Sequence, residues 1–106
     1  MNIYTENEAL KDLIVYGKTK DKRYSKLPKE AIKGFIKAIS YLKAVERIED
    51  LYRFKGLNYE KLIGKRKGQE SVRCDRTWRL IFKSSPKDNC IIITEVELIE
   101  ISKHYE

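Results

Sequence analysis

The sequence has few of the residues that build metal sites, disulfide frameworks and membrane spans. Its 106 residues include one histidine and two cysteines, Cys74 and Cys90, which lack the spacing of a zinc site. The simplest interpretation is two free thiols in a reducing compartment, although both cysteines are predicted to lie on strands and could approach each other. The chain has no apolar run of the ~20 residues that a membrane span needs. Residues 1–6 also lack the basic start and apolar stretch of a signal peptide. We therefore expect a cytoplasmic protein that needs no metal or cofactor.

Positive charge, in contrast, is abundant. The chain carries 23 Lys and Arg against 16 Asp and Glu, a net charge of +7. Folding does not require this excess, so it indicates an anionic partner, with nucleic acid the first candidate and an anionic membrane surface the second. Residues 61–79 contain seven Lys or Arg and two acidic residues, which concentrates +5 of the charge there. A second basic cluster, residues 18–26, can equally be a solvated surface.

The first half of the chain is predicted to be helical. Asn7 or Thr5 can cap a helix from about residue 8 to 16, and Gly17 is a stop signal. A second helix is predicted over roughly residues 28–45, because apolar residues recur there with helical spacing and a proline suits its first turn. The predicted apolar stripe consists of Ile32, Phe35, Ile36, Ile39 and Leu42.

The second half is predicted to form strands after a short helical piece over residues 48–54. Residues 71–75 and 78–82 alternate apolar and polar side chains, and residues 90–101 form a long β-branched run. Residues 84–89 have the composition of a turn. Helices followed by strands favour one α+β domain over residues 1–106. We expect a compact antiparallel sheet of three to four strands, with two or three helices packed on one face.

The register of the first predicted hairpin follows from its alternation. A three-residue loop, 75–77, places Cys74 opposite Trp78 and Val72 opposite Leu80, so the apolar residues share one side of the sheet. A two-residue loop would mix the two sides. Trp78 then lies on the apolar side, which favours a core position over stacking on a base.

The same register places Arg73 directly opposite Arg79. Like charges opposed across a strand pair are destabilising, so a compensating interaction is expected. Either Glu95 or Glu97 neutralises the pair, or the two guanidinium groups converge on a phosphate, which arginine binds in bidentate fashion.

His104 and Tyr105 follow the last predicted strand. RNA cleavage needs a deprotonated 2′-hydroxyl, a protonated 5′-oxygen and a stabilised phosphorane, and histidine suits the two proton transfers. Tyrosine is a weaker candidate for them. A lone histidine near a C-terminus can also be a solvated tail residue.

These residues resemble the HigB branch of the RelE/ParE toxin superfamily. Residues 62–73 match its glycine-bounded basic loop and Ser-aliphatic-Arg strand, and residues 78–82 match its aromatic-Arg-aliphatic-x-Phe strand. The branch ends in adjacent Tyr and His residues, here in the order His104-Tyr105. Members often carry His and Lys just before the loop, whereas this chain has Glu60 and Ile63 at those positions, with Lys61 and Lys65 as possible stand-ins.

The resemblance implies a ribosome-dependent mRNA endonuclease that inhibits translation and is neutralised by an antitoxin, usually a helix-turn-helix protein. Arg73 and Arg79 would stabilise the scissile phosphate, while His104 and Tyr105 would transfer protons or orient the substrate. The expected RNA-binding residues are Lys61, Lys65, Arg66, Lys67 and Arg76. Two alternatives remain open, namely a non-catalytic ParE-like inhibitor of gyrase and a plain RNA-binding module without toxicity.

Overall fold

The computed structural model describes residues 1–87 and 90–103, except for the side chains of residues 86–87 and 90–93. Two α-helices lie over these ranges, α1 (Glu8–Tyr16) and α2 (Lys29–Ala44). The strands are β1 (Asn2–Thr5), β2 (Glu60–Lys61), β3 (Glu70–Arg73), β4 (Trp78–Lys87) and β5 (Cys90–Lys103). Short 3₁₀ helices span Ile48–Arg53, Lys55–Leu57 and Gly64–Arg66.

In the described ranges the strands form one sheet in the order β1-β5-β4-β3-β2, in which β1 and β5 run parallel and the other neighbouring pairs run antiparallel. Both helices bury apolar residues against one face, which confirms the predicted α+β class. As far as the structure describes the chain, the sheet has five strands rather than the predicted three to four. Its two edge strands, β1 and β2, have four and two residues, too few for a readable alternation. Within the described ranges, no helix is long and apolar enough to cross a membrane.

The first helix matches its prediction, and Asn7 is its cap. The Asn7 side-chain oxygen accepts hydrogen bonds from the backbone N–H groups of Ala9 at 3.0 Å and Leu10 at 3.3 Å. Gly17 ends the helix with a φ of 73°, a left-handed conformation that favours glycine. Thr5, the alternative cap, instead accepts a hydrogen bond from the Asn7 N–H at 3.1 Å.

The second helix is confirmed, but its buried stripe is rotated from the predicted one. Ile36 is exposed and Ile32 only half-buried, whereas Ala31 and Ala38 are fully buried together with Phe35. The helix approaches the β3–β4 hairpin so closely that a Cβ on Gly34 would overlap the Cys74 carbonyl. This backbone contact turns small residues, rather than the two isoleucines, toward the sheet.

The predicted hairpin register is confirmed. Val72 pairs with Leu80, and Arg73 pairs with Arg79. The Cys74 N–H donates to the Trp78 carbonyl at 2.9 Å across the three-residue loop. Trp78 is partly buried against the core.

The turn predicted over residues 84–89 is wrong in its first part, because residues 84–87 continue β4. Ser84 is held there by Glu70, whose carboxylate accepts from the Ser84 N–H at 2.9 Å and its hydroxyl at 2.7 Å. Pairing with the long β5 strand thus overrides the turn-like composition. Residues 88–89 lie outside the described part.

Candidate functional site

A cleft lies on the sheet face that points away from the helices. Residues 64–66 fold back over this face, and the Arg66 guanidinium anchors them by donating to Glu100 Oε1 and Gln69 Oε1, each at 2.8 Å. Gly64 and Gly68 adopt φ angles of 67° and 94°, which allow the loop to reverse. The space within this open cleft measures about 370 Å³. Its lining includes Glu60, Lys65, Ser71, Arg79, Ile81 and Lys103, and we call it the Arg79 cleft.

Arg79 is the buried charge of this cleft, since its side chain is only 5% exposed. Its Nε donates to Ser71 Oγ at 2.9 Å and its Nη2 to the Asn58 carbonyl at 2.6 Å. Among the described residues, Nη1 has no hydrogen-bond partner. Burial lowers the pKa of Arg79 below its usual value; the Glu60 carboxylate opposes this shift and the positive charge of Arg73 adds to it. A buried guanidinium that lines a cleft and is incompletely paired marks a candidate site for an anion.

Glu60 provides the negative charge next to Arg79. Its Oε1 lies 3.5 Å from Arg79 Nη2, and its side chain is 49% exposed. Pairing of Glu60 with Ser71 directs both side chains toward the Arg79 cleft. In the sequence alone, Glu60 stands out only as a departure from the family pattern. A strand of two residues, such as β2, is too short to show the alternation by which strands are predicted. The signal for Glu60 in the sequence was therefore its position as a carboxylate just before a basic loop.

The two opposed arginines have different environments. Arg79 is buried, whereas Arg73 is exposed at the end of β3. The expectation that Glu95 or Glu97 neutralises the pair is wrong, because these residues lie opposite Ser85 and Lys83, away from the arginines. The last strand places Ser102 opposite Arg79, and the neutralising carboxylate comes instead from the edge strand.

The predicted RNA-binding residues are divided among three places. Lys65 and Arg66 line the Arg79 cleft, with Arg66 engaged as the loop anchor. Lys61 and Lys67 line a second cleft of about 450 Å³ beside the first, which we call the Lys61 cleft. Arg76 is exposed in the hairpin loop and lines neither cleft.

His104 and Tyr105, the predicted proton-transfer pair, lie outside the described residues. Lys103, which precedes them, lines the Arg79 cleft, and its ammonium lies 5.7 Å from the centre of the Trp78 ring. Among the side chains that the structure describes, no three potential metal ligands cluster together. The groups that line the Arg79 cleft have the chemistry to bind a phosphate, through Arg79 and Lys65, and to accept a proton, at Glu60.

Comparison with known proteins gives the chain its family. The family model for the RelE-like toxin of the type II toxin–antitoxin system HigB matches residues 8–98. No curated protein matches the sequence.

Three solved structures share the fold at low sequence identity. A YoeB/ParE toxin from Agrobacterium tumefaciens superposes with a TM-score of 0.58 at 16% identity, covering 99% of this chain and 100% of that one. YafQ from E. coli strain BL21(DE3) gives 0.57 at 11% identity, covering 98% and 93%. The YoeB–YefM complex from Staphylococcus aureus gives 0.52 at 23% identity, covering 99% and 98%. With a family model that matches most of its length, the chain belongs to the HigB family of RelE-like toxins of type II toxin–antitoxin systems.

Proposed function

We propose that this toxin is a ribosome-dependent endoribonuclease that cleaves mRNA and thereby inhibits translation. The observation that carries the proposal is the pairing, in one cleft, of a buried arginine that has an unpartnered Nη1 with a half-exposed carboxylate. Membership of the RelE-like toxin family supports mRNA as the substrate. The net charge of +7 favours binding to RNA on the ribosome.

The proposed reaction is an attack by the 2′-hydroxyl on the adjacent phosphorus. Glu60 accepts the 2′-hydroxyl proton, the 2′-oxygen bonds to phosphorus, and Arg79 stabilises the charge on the pentacoordinate phosphorus. The bond to the 5′-oxygen then breaks, and that oxygen takes a proton from an acid. The products are a 2′,3′-cyclic phosphate and a 5′-hydroxyl end.

Two residues from the sequence prediction complete this scheme. His104 and Tyr105 are predicted to transfer protons or orient the substrate, and we assign the acid to His104 because both directly follow Lys103, which lines the Arg79 cleft. Arg73 and Arg76, exposed at the end of the hairpin, provide further positive charge for the RNA backbone, and Lys65 binds it at the cleft rim.

We further propose that a cognate antitoxin, predicted to be a helix-turn-helix protein, neutralises the toxin in the cytoplasm. The supporting observations are the HigB family match and the fold shared with the toxin of the YoeB–YefM complex.

Purified toxin incubated with ribosomes and a defined mRNA tests the nuclease activity, with the cleaved ends mapped by primer extension. We expect 2′,3′-cyclic phosphate ends. Glu60→Gln should slow cleavage by about 10²–10⁴-fold, and His104→Ala should also reduce it. Glu46→Gln is the matched control, because Glu46 is an exposed carboxylate away from the Arg79 cleft. Growth arrest without cleavage, together with a DNA-damage response, would support a gyrase inhibitor instead. RNA binding without toxicity or cleavage would indicate a plain RNA-binding module.

A further inference from the structure

The Lys61 cleft adjoins the Arg79 cleft across the edge of the sheet. Leu62 and Ile63 line both clefts, so this segment forms a wall that the two spaces share. Successive side chains of a strand point to opposite faces, and β2 therefore directs Glu60 to one cleft and Lys61 to the other. A polymer held at Arg79 and continuing over Ile63, which is 88% exposed, would reach Lys61 and Lys67 next.

The two lysines give the Lys61 cleft a positively charged rim. Both side chains belong to exposed residues. In the described part of the chain neither forms a salt bridge within 4.0 Å. Ammonium groups bind phosphate as point charges on flexible stems and tolerate variation in backbone position. The rim is therefore suited to the backbone of a single strand.

The floor of the cleft has a different character. Glu70 is buried, with 6% exposure, and its carboxylate accepts hydrogen bonds from Tyr59 Oη at 2.6 Å and from the Ser84 N–H and hydroxyl. Burial and the bond to Glu70 raise the pKa of Tyr59 above its usual value, so the phenol stays a donor. A fixed carboxylate repels a phosphate, so the floor of the cleft favours the base end of a nucleotide over its phosphate end. The apolar walls of Leu62 and Ile63 suit the face of a base.

From this arrangement we propose that the Lys61 cleft is a nucleotide subsite for single-stranded RNA. It binds the nucleotide next to the phosphate held at Arg79. The base of this nucleotide points into the cleft, and its own phosphate lies at the lysine rim. The cleft volume of about 450 Å³ lies in the range of small-molecule sites. This inference rests on the proposed function, because it assumes that an RNA phosphate occupies the Arg79 cleft.

Binding of short RNAs tests the subsite separately from cleavage. The probes are a 2′-O-methyl dinucleotide and a 2′-O-methyl hexanucleotide, which resist 2′-hydroxyl attack, and affinity is measured by fluorescence anisotropy at several salt concentrations. Wild type should bind the hexanucleotide more tightly. Lys61→Gln/Lys67→Gln should remove most of that advantage and reduce the slope of log K against log salt by about 0.7 for each lost lysine contact. Lys29→Gln/Lys43→Gln removes the same charge from the two ends of α2 and should leave the advantage in place.

A crosslink locates the bound nucleotide directly. A hexanucleotide carrying 4-thiouridine should crosslink to the peptide containing residues 62–67 in wild type, and less so in the double variant. Equal effects of the two double variants, or crosslinks only elsewhere, would overturn the subsite. The subsite would also be overturned if the Lys61→Gln/Lys67→Gln variant bound RNA normally but was no longer neutralised by the antitoxin. That result would assign the cleft to a protein partner.

The two proposals fail in distinguishable ways. Cleavage that depends on Glu60 without any length-dependent binding leaves the nuclease standing and rejects the subsite. Length-dependent binding through Lys61 and Lys67 without cleavage rejects the nuclease and retains the subsite.

Discussion

Both sides of the β3–β4 hairpin are buried, but one side buries apolar residues and the other buries polar ones. On the helix side, Val72, Leu80 and Phe82 are fully buried and apolar. On the other side, Ser71 and Arg79 are almost as inaccessible, yet they are polar and leave Arg79 Nη1 without a partner in the described chain. Apolar burial stabilises the fold, whereas a desolvated and incompletely paired charge costs free energy. The difference indicates that the helix side serves stability and the cleft side serves binding.

The largest expected effect is on the stabilising side. Phe82→Ala should lower the free energy of unfolding by about 3–5 kcal/mol, because it removes a fully buried ring that stacks on Tyr59. Urea denaturation followed by circular dichroism measures this loss. Tyr52→Ala is the matched control, since Tyr52 is 56% exposed. Equal losses for both variants would contradict the assignment of Phe82 to the core.

Arg79→Met should separate stability from activity. Removing the guanidinium relieves a desolvated charge but leaves Ser71 Oγ and the Asn58 carbonyl without their donor, so the two effects on unfolding should cancel to within about 1.5 kcal/mol. Cleavage should fall by about 10²–10³-fold, because the phosphorane loses its charge stabilisation. Parallel denaturation and ribosome cleavage assays check both values. A destabilisation as large as that of Phe82→Ala would show that the cleft side also holds the fold together.

How much the sequence could predict also differs between the two sides. The residues on the helix side could be predicted from the local alternation of apolar and polar side chains. This alternation correctly predicted the Val72–Leu80 pairing and the opposed arginines. The Arg79–Glu60 contact depends on β2, a two-residue strand placed by a long-range pairing that leaves no periodic signal. The rotation of α2 was missed for a related reason, since it depends on the approach of Gly34 to a residue forty positions away, Cys74.

Cys74 gives a pH test of burial at the loop end of the hairpin. Burial, reinforced by the Asp75 carboxylate, raises the pKa of the Cys74 thiol from 9.0 to about 12. Between these values the unfolded chain releases a proton that the folded state retains, so the free energy of unfolding falls as pH rises, by at most about 1.4 kcal/mol per pH unit. Urea unfolding is measured from pH 8 to 11 in a Cys90→Ser background. The free energy of unfolding should fall more steeply with pH in the protein that keeps Cys74 than in the Cys74→Ala variant. Identical slopes would mean that the thiol is accessible to solvent.

The smallest effect concerns the arginine pair that spans the two environments. Arg73→Gln removes a like charge directly opposite Arg79 and should raise the free energy of unfolding by about 0.2–1 kcal/mol. Arg76→Gln removes the same charge from the exposed hairpin loop and should leave stability unchanged.

If Arg73 also holds RNA phosphate, Arg73→Gln will lower the cleavage rate while it stabilises the fold. Stability gain and activity loss in one variant would show that the opposed arginines are retained for the substrate. A destabilised Arg73→Gln, or an equal gain in Arg76→Gln, would show instead that the pairing of these charges carries no cost.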